Sequence, residues 1–176
     1  MEVVFTPWRM HYINSHKAPR SGCVLCNIHA DGPEHDAEHF IVYRGATCYV
    51  VLNIFPYNTA HLMVVPFQHT GDLCALDAPT SLELFDLTRQ SVAIVNHEYQ
   101  PHGFNVGMNL GQAAGAGIAD HLHMHIVPRW GGDANFLPII GGTKLIPETL
   151  EETYARLKPH FAELGLVYQR LDQAQQ

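Results

Sequence analysis

Three histidines alternate with apolar residues in the segment His121-Leu122-His123-Met124-His125-Ile126-Val127. A period of two places successive side chains on opposite faces of a β-strand, so the sequence predicts a strand whose three imidazoles share one face. That face must meet a polar environment, because burying an unpaired imidazole is costly. Alternate side chains start roughly 6.6 Å apart, so two neighbouring histidines can converge on one metal ion while a third is left for other work. The alternative is a strand whose histidines are only hydrogen-bonded or exposed.

A second chemical motif is the pair Cys23-Val24-Leu25-Cys26, which has the C-x-x-C spacing of a zinc knuckle. A zinc site needs two more ligands from elsewhere in the chain. The alternatives are a reduced, metal-free pair and a redox motif. The four cysteines of the chain favour metal or free thiols over disulfides, because we expect an intracellular protein.

Glycines precede the histidine segment at Gly115 and Gly117. Glycine lets backbone N–H groups approach a phosphate closely, so this loop is a candidate phosphate-binding segment, with an ordinary flexible turn as the alternative. Asn109 and Gln112 lie just before it and are candidate contacts to the same phosphates.

Composition limits the class of protein. The 176 residues include 10 Lys plus Arg and 17 Asp plus Glu, a net charge of −7, which argues against a general nucleic-acid binder. There is no apolar run of about 18 residues and no secretory signal, so we expect a cytoplasmic protein with no membrane partner. The length fits one domain with a substantial core.

The elements that position these motifs follow from hydrophobic periodicity. Strands are predicted at residues 40–44, 47–52, 61–66, 104–109 and 121–127. A long helix is predicted from Thr80 to about Tyr99, with Thr80 and Glu83 as a capping box, and a second from Pro147 to 164, ended by Gly165. Residues 1–22 are interpreted as an N-terminal arm, 23–167 as the domain and 168–176 as a polar tail. Strands interrupted by a long helix predict an α+β domain.

The histidine segment resembles the signature of the histidine triad (HIT) nucleotide-binding proteins, in which histidine alternates with apolar residues. The flanking residues Asn109-Leu110-Gly111 and 128–136 resemble the branch that includes bacterial diadenosine tetraphosphate phosphorylases. The resemblance runs from about Trp8 to about Leu164. It implies a HIT-like fold with a five-stranded antiparallel sheet, and two subunits that join their sheets into ten strands. We therefore expect a homodimer or a higher homo-oligomer.

The resemblance also implies roles for particular residues. His123 would be the nucleophile and His125 would contact the phosphate beside the scissile bond. Family members bind ribose through a residue after the second strand, which is Asn53 here; a turn residue is the alternative for it. The implied nucleotide-binding set is Asn53, Asn109, Gly115, Gly117, His125 and Trp130. Many members carry serine on the loop before the triad, and this chain has Ala116, Gly117 and Ile118 there.

A structural zinc is the cofactor that the resemblance implies. Several HIT proteins, and the related galactose-1-phosphate uridylyltransferases, bind zinc through a cysteine pair, a histidine after the third strand and the first triad histidine. The matching residues are Cys23, Cys26, His69 and His121.

Several functions remain open at this point. The leading prediction is a nucleotidyl transferase or hydrolase that cleaves dinucleoside polyphosphates, resembling diadenosine tetraphosphate, through a nucleotidyl-His123 intermediate. Phosphate or water is the acceptor, and an adenine nucleotide is the expected substrate. A purine nucleoside phosphoramidase and a non-catalytic nucleotide-binding module are the alternatives. A zinc hydrolase using His121 and His123 as ligands is disfavoured, because no acidic base accompanies the triad.

Overall fold

A computed structural model describes residues 22–133 and 146–174 of the chain, with side chains to residue 164. Its helices and strands are α1 (Val24–Ala30), β1 (Ile41–Arg44), β2 (Cys48–Leu52), β3 (Leu62–Pro66), α2 (Ala78–Tyr99), β4 (Gly103–Gly107), β5 (Met124–Arg129) and α3 (Leu150–Ala174). The arm expected at residues 1–22 lies outside this part except for its last residue.

The five strands form one antiparallel sheet in the order β1-β2-β3-β5-β4. The predicted α+β class and five-stranded sheet are therefore confirmed. In the register, Met63 of β3 and Gly107 of β4 lie on either side of His125. The catalytic candidate His125 consequently lies between two strands that come from different parts of the sequence.

Alternation along the strands produces a core on each face of the sheet. One cluster joins Val50, Leu62, Val64 and Ile126 to buried residues of α2 and α3, such as Leu87 and Phe161. The opposite cluster includes Tyr49, Val51 and Met63 together with Leu25 of α1. The Tyr49 hydroxyl donates to the Leu25 carbonyl at 2.8 Å, which fixes α1 on this second face. His125, opposite Met63 in the register, lies on the same face as α1.

The histidine strand begins later than predicted. Its ladder starts at Met124, so His125 is in the strand while His121 and His123 precede it. The neighbouring strand β3 ends at Pro66, and a proline has no N–H to continue the ladder. Leu122 donates its N–H to the Thr70 carbonyl instead, at 2.7 Å.

The two long helices differ from the prediction at their ends. Helix α2 begins at Ala78, and its cap is Asp77, which accepts the Thr80 N–H. The capping box predicted at Thr80 and Glu83 is thus wrong. Helix α3 continues to Ala174 and passes through Gly165, because a single glycine costs a helix only about 1 kcal/mol and does not force an end.

Candidate active site and metal centre

The ring of His123 is held in one tautomer by the backbone. Its Nδ1 lies 2.8 Å from the carbonyl oxygen of His121. A carbonyl oxygen only accepts, so Nδ1 carries the proton and Nε2 carries the lone pair. His123 is buried, and its ring meets that of His125 edge-on at 4.7 Å between centroids. The arrangement prepares Nε2 of His123 to act as a nucleophile.

A fourth histidine, His61, orients His125. The Tyr57 N–H donates to Nδ1 of His61 at 3.0 Å, so the remaining proton of His61 is on Nε2. That Nε2 lies 3.0 Å from Nδ1 of His125 and donates to it. His125 therefore carries its own proton on Nε2, and the ring presents an N–H donor on the side away from His61.

Sequence reasoning did not identify His61. It directly precedes β3, whose residues are all buried, and only 1% of its surface is exposed. A histidine before an apolar strand has no local pattern that distinguishes it from a core residue. The β3–β5 register, which sets Met63 opposite His125, is what brings its ring beside the triad.

Burial, and to a smaller extent the charge of His123, lowers the pKa of His125 to about 4. His125 is thus neutral at physiological pH. A neutral imidazole with its proton on Nε2 can donate a hydrogen bond to a phosphate oxygen without carrying a positive charge.

Four potential metal ligands converge beside the triad. One ligand atom from each of Cys23, Cys26, His69 and His121 lies within 4.8 Å of the other three. Nδ1 of His121 is 3.3 Å from Sγ of Cys23, 3.4 Å from Sγ of Cys26 and 3.3 Å from Nδ1 of His69. Ligands of a tetrahedral zinc ion lie about 3.3–3.8 Å apart, so these separations fit zinc.

The hydrogen bonding around His121 also fits a metal ligand. Its Nε2 donates to the carbonyl oxygen of Pro66 at 2.8 Å, which leaves the lone pair on Nδ1, directed at the cysteines. A metal-binding histidine usually donates its other ring N–H to a carbonyl or carboxylate in this way. The four residues implied by the resemblance are therefore the four that the fold brings together.

A family model described as the HIT domain matches residues 34–132, more than half of the chain. The chain belongs to the HIT family. A protein from Mycobacterium tuberculosis described as AP-4-A phosphorylase is 42% identical over 166 residues, covering 92% of this chain and 85% of that protein. A bis(5'-adenosyl)-triphosphatase from Saccharomyces cerevisiae is 29% identical over 91 residues, covering 51% of this chain and 44% of that protein. Both named relatives are enzymes, which confirms the prediction of a HIT-family enzyme.

Solved HIT structures share the fold. A Zn-bound histidine triad family protein from Mycobacterium smegmatis aligns with a TM-score of 0.65 at 24% identity, over 83% of this chain and 97% of that one. A histidine triad nucleotide-binding protein from Sulfolobus tokodaii aligns with a TM-score of 0.61 at 27% identity, over 80% of this chain and 90% of that one.

A cleft of about 500 Å³ opens beside β4 and β5 of this HIT fold. Its lining is Tyr57, Asn105, Val106, Gly107, Asn109, His125, Val127 and Arg129. Two of the predicted nucleotide-binding residues, Asn109 and His125, are thus brought together. Arg129 adds a cation to the lining of the cleft.

The other predicted nucleotide contacts lie outside the lining of that cleft. The side-chain oxygen of Asn53 accepts the Phe55 N–H at 2.9 Å, the contact of a turn residue. Trp130 begins a turn after β5, closed by the Asp133 N–H to the Trp130 carbonyl at 3.1 Å. Their nucleotide-binding roles stay predictions.

The glycine loop is partly closed on itself in this HIT chain. The N–H of Gly115 donates to the backbone carbonyl of Gln112 at 2.9 Å, and the N–H of Ala116 donates to the carbonyl of Gly111 at 3.4 Å. Gly115 has a φ of +88°, a left-handed conformation that favours glycine. At Gly117 an added Cβ would meet no heavy atom within 4 Å, so its backbone is open to an approaching group.

Proposed function

We propose that this protein cleaves dinucleoside polyphosphates, with a nucleotidyl group carried on Nε2 of His123 between two steps. The observation that carries the proposal is the hydrogen bond from His123 Nδ1 to the His121 carbonyl, which leaves the lone pair on Nε2 beside the donor His125. Covalent catalysis of this kind divides one difficult displacement into two easier ones.

In the first step, the lone pair of His123 Nε2 forms a bond to a phosphorus of the substrate. The bridging P–O bond breaks, and its electron pair leaves with the released nucleoside polyphosphate. The imidazole ring becomes cationic, and the His121 carbonyl that already accepts its Nδ1–H stabilises that charge. The Nε2–H of His125 donates to a non-bridging phosphate oxygen, where negative charge accumulates.

In the second step, an acceptor oxygen attacks the same phosphorus and the P–N electron pair returns to Nε2. We propose inorganic phosphate as the acceptor, supported by the 42% identical relative described as AP-4-A phosphorylase. Diadenosine tetraphosphate would then give ADP and ATP, whereas water as acceptor would give AMP and ATP. Asn109 and Arg129 line the cleft beside His125, which supports them as the donors to the phosphates.

Intact-mass spectrometry after rapid quenching tests the covalent step. With diadenosine tetraphosphate, the wild type should gain the mass of one adenylyl group, and His123→Ala should gain none while still binding nucleotide. His35→Ala, which removes a half-buried histidine that precedes β1 and pairs with Glu38, is the matched control and should form the adduct. Full turnover by His123→Ala would remove the basis of the proposal.

Chromatography of the products identifies the acceptor. We expect ADP to replace AMP as phosphate is added, at a rate that rises with phosphate concentration. AMP as the sole new product at high phosphate identifies a hydrolase. Preferential cleavage of an adenylated amine, with little cleavage of the tetraphosphate, would favour the phosphoramidase alternative.

We further propose that Cys23, Cys26, His69 and His121 hold one structural zinc ion per chain. The separations of the four ligand atoms and the Pro66 contact of His121 support zinc. When bound, the ion supplies a cross-link between α1, the segment after β3 and the segment before β5. His123, the proposed nucleophile, is not among the four residues that would hold the ion.

A homodimer that joins two β4 edges is the third element of the proposal. Within the described residues β4 pairs with β5 alone, and an outer strand is a template for pairing with another chain. Exposed apolar side chains occur on β4 and on α2: Val106 is 47%, Phe85 68% and Leu82 73% exposed. Association of two copies would cover such residues.

Sedimentation equilibrium tests the dimer. Val106→Lys combined with Phe85→Glu should shift the wild-type dimer to a monomer. Leu73→Glu, a charge placed on an exposed leucine of the short turn before α2, is the control and should remain dimeric. A wild-type monomer at all concentrations contradicts this part of the proposal.

None of the helices in the described residues is long and apolar enough to span a bilayer. The predicted cytoplasmic location and the absence of a nucleic-acid partner stay predictions.

A further inference from the structure

Two turns border the active site, and one carboxylate joins them. The first turn links β2 to β3 and carries Tyr57 and Asn58; the second follows β5 and carries Trp130. The carboxylate of Asp133 accepts the Asn58 amide at 2.8 Å and the Trp130 N–H at 3.1 Å. It also accepts two N–H groups of Arg129, at 2.6 and 2.8 Å. Because four N–H groups donate to this one carboxylate, Asp133 connects the two turns, and we call it the hub.

The Asp133 carboxylate is largely shielded from solvent and is ionised at neutral pH. The Asp133 side chain is 11% exposed and Asn58 is 8% exposed. Hydrogen bonds from Arg129 hold the pKa of Asp133 well below its ordinary value, so the group is a carboxylate at neutral pH. Only the ionised form has acceptors on both oxygens and no donor of its own.

Asn58 links Asp133 to the first turn through hydrogen bonds of its side chain and its backbone. Its amide also donates to the Pro128 carbonyl at 2.9 Å, so both amide protons are used on β5 and on the turn that follows it. Its backbone carbonyl accepts the His61 N–H at 3.2 Å. The adjacent Tyr57 N–H is the donor that fixes the tautomer of His61, and His61 in turn donates to His125.

We propose that Asp133 is a positioning residue for the transfer reaction: through Asn58 and the β2–β3 turn it keeps His61 and His125 in the tautomers that direct the Nε2–H of His125 at the substrate. This inference rests on the proposed function for its kinetic consequence, but the tautomer itself is a property of the protein without substrate. The same carboxylate holds the guanidinium of Arg129, whose third contact is Asn105 in the cleft wall at 2.7 Å.

The variant Asp133→Asn tests the proposal with little change in shape. With its oxygen in the place of Oδ2, an asparagine can still accept from Asn58, Trp130 and Nε of Arg129. Its NH₂ group then meets Nη2 of Arg129, and the negative charge that holds the guanidinium is lost, so the hub must rearrange. We expect kcat to fall on the order of 10- to 100-fold, the size typical of a displaced catalytic group, while KM for diadenosine tetraphosphate changes less than about threefold. Asn58→Ala should produce a similar split between kcat and KM.

The matched control is Asp86→Asn on α2. It removes a carboxylate that pairs with Arg89 three residues further along the helix, outside the active site. We expect its kcat and KM to equal those of the wild type.

Nitrogen-15 chemical shifts of the histidine rings provide a readout that a purely structural role would not move. At neutral pH the wild type should show Nδ1 of His125 unprotonated and Nε2 protonated. In Asp133→Asn and Asn58→Ala, His125 should exchange between both tautomers. This measurement needs no turnover, so it can succeed even where the covalent mechanism fails.

A double-mutant cycle tests whether the effect of Asp133 on kcat passes through His61. We expect His61→Asn to lower kcat by itself, and we expect Asp133→Asn to lower kcat much less in that variant than in the wild type. The proposal is overturned if His125 keeps one tautomer in both hub variants, if the losses with His61→Asn are fully additive, or if the activity lost merely matches the fraction of unfolded protein.

Discussion

The His123 ring donates from Nδ1 to the backbone carbonyl of His121 at 2.8 Å, while the His121 ring points its own Nδ1 at two cysteines. One residue therefore belongs to the ligand cluster through its side chain and to the active site through its backbone. A movement of the His121 backbone would therefore shift the carbonyl that accepts from the His123 ring. If zinc occupies the cluster and His123 is the nucleophile, as we propose, removal of the metal should also affect the transfer step.

Loss of a cysteine ligand tests this coupling. We expect the wild type to contain about one zinc per chain and Cys26→Ser to contain much less, with a lower thermal midpoint, because the free energy of metal binding stabilises the folded state. The kcat of Cys26→Ser should fall more than its KM rises. Elemental analysis, calorimetry and kinetics measure these effects. Cys74→Ser, an exposed cysteine outside the cluster, should match the wild type; equal zinc content in Cys26→Ser would contradict the ligand assignment.

Stability should depend on pH through His125. Its pKa is lowered from 6.5 to about 4 in the folded protein, chiefly by burial. Between these values the unfolded chain binds a proton that the folded chain does not, so the stabilisation is complete above pH 6.5 and is lost as the pH falls towards 4. Urea unfolding at closely spaced pH values should show a steeper fall for the wild type than for His125→Asn. Parallel curves would show that the folded pKa is not depressed.

Substitution at Gly117 separates ligand binding from folding. An added Cβ there would meet no heavy atom within 4 Å, so we expect Gly117→Val to keep about the wild-type thermal midpoint. If the backbone of this loop contacts phosphates, the β-carbon blocks their approach, and kcat/KM should fall on the order of 10-fold or more. Calorimetry and steady-state kinetics measure the two quantities. Unchanged kinetics would place the phosphates elsewhere.

Glu83 should matter for stability and not for catalysis. Its carboxylate accepts the N–H groups of Ala46, Thr47 and Cys48 at 2.7, 2.5 and 2.9 Å, which holds the β1–β2 turn against α2. Glu83→Gln should lower the free energy of unfolding by about 1–3 kcal/mol, the usual cost of weakening hydrogen bonds to a charged group. Urea denaturation measures it, with the exposed Glu163→Gln as control. A large change in kcat would show that the turn reaches the active site.

Some features of this protein follow from local pattern alone. The alternation at His121, His123 and His125 predicted a strand, which the structure has from Met124 onwards. The spacing of Cys23 and Cys26 predicted a metal site, which stays a proposal. Hydrophobic periodicity places all five strands to within a few residues of their observed ends. The choice of His69 and His121 as further ligands came from the family resemblance, and the geometry agrees with it.

Tertiary structure decided the features that depend on partners distant in the sequence. Thr149 and Glu152 form the reciprocal capping box that the same spacing predicted at Thr80 and Glu83. Glu83 instead contacts a turn more than thirty residues earlier in the chain. No local pattern marks His61 or Asp133 in the sequence. The register of β3 with β5 brings His61 beside His125, and the turns beyond the strands bring Asp133 beside Asn58. A hydrogen-bonding side chain takes the nearest available partner in space, and only the fold determines which partner that is.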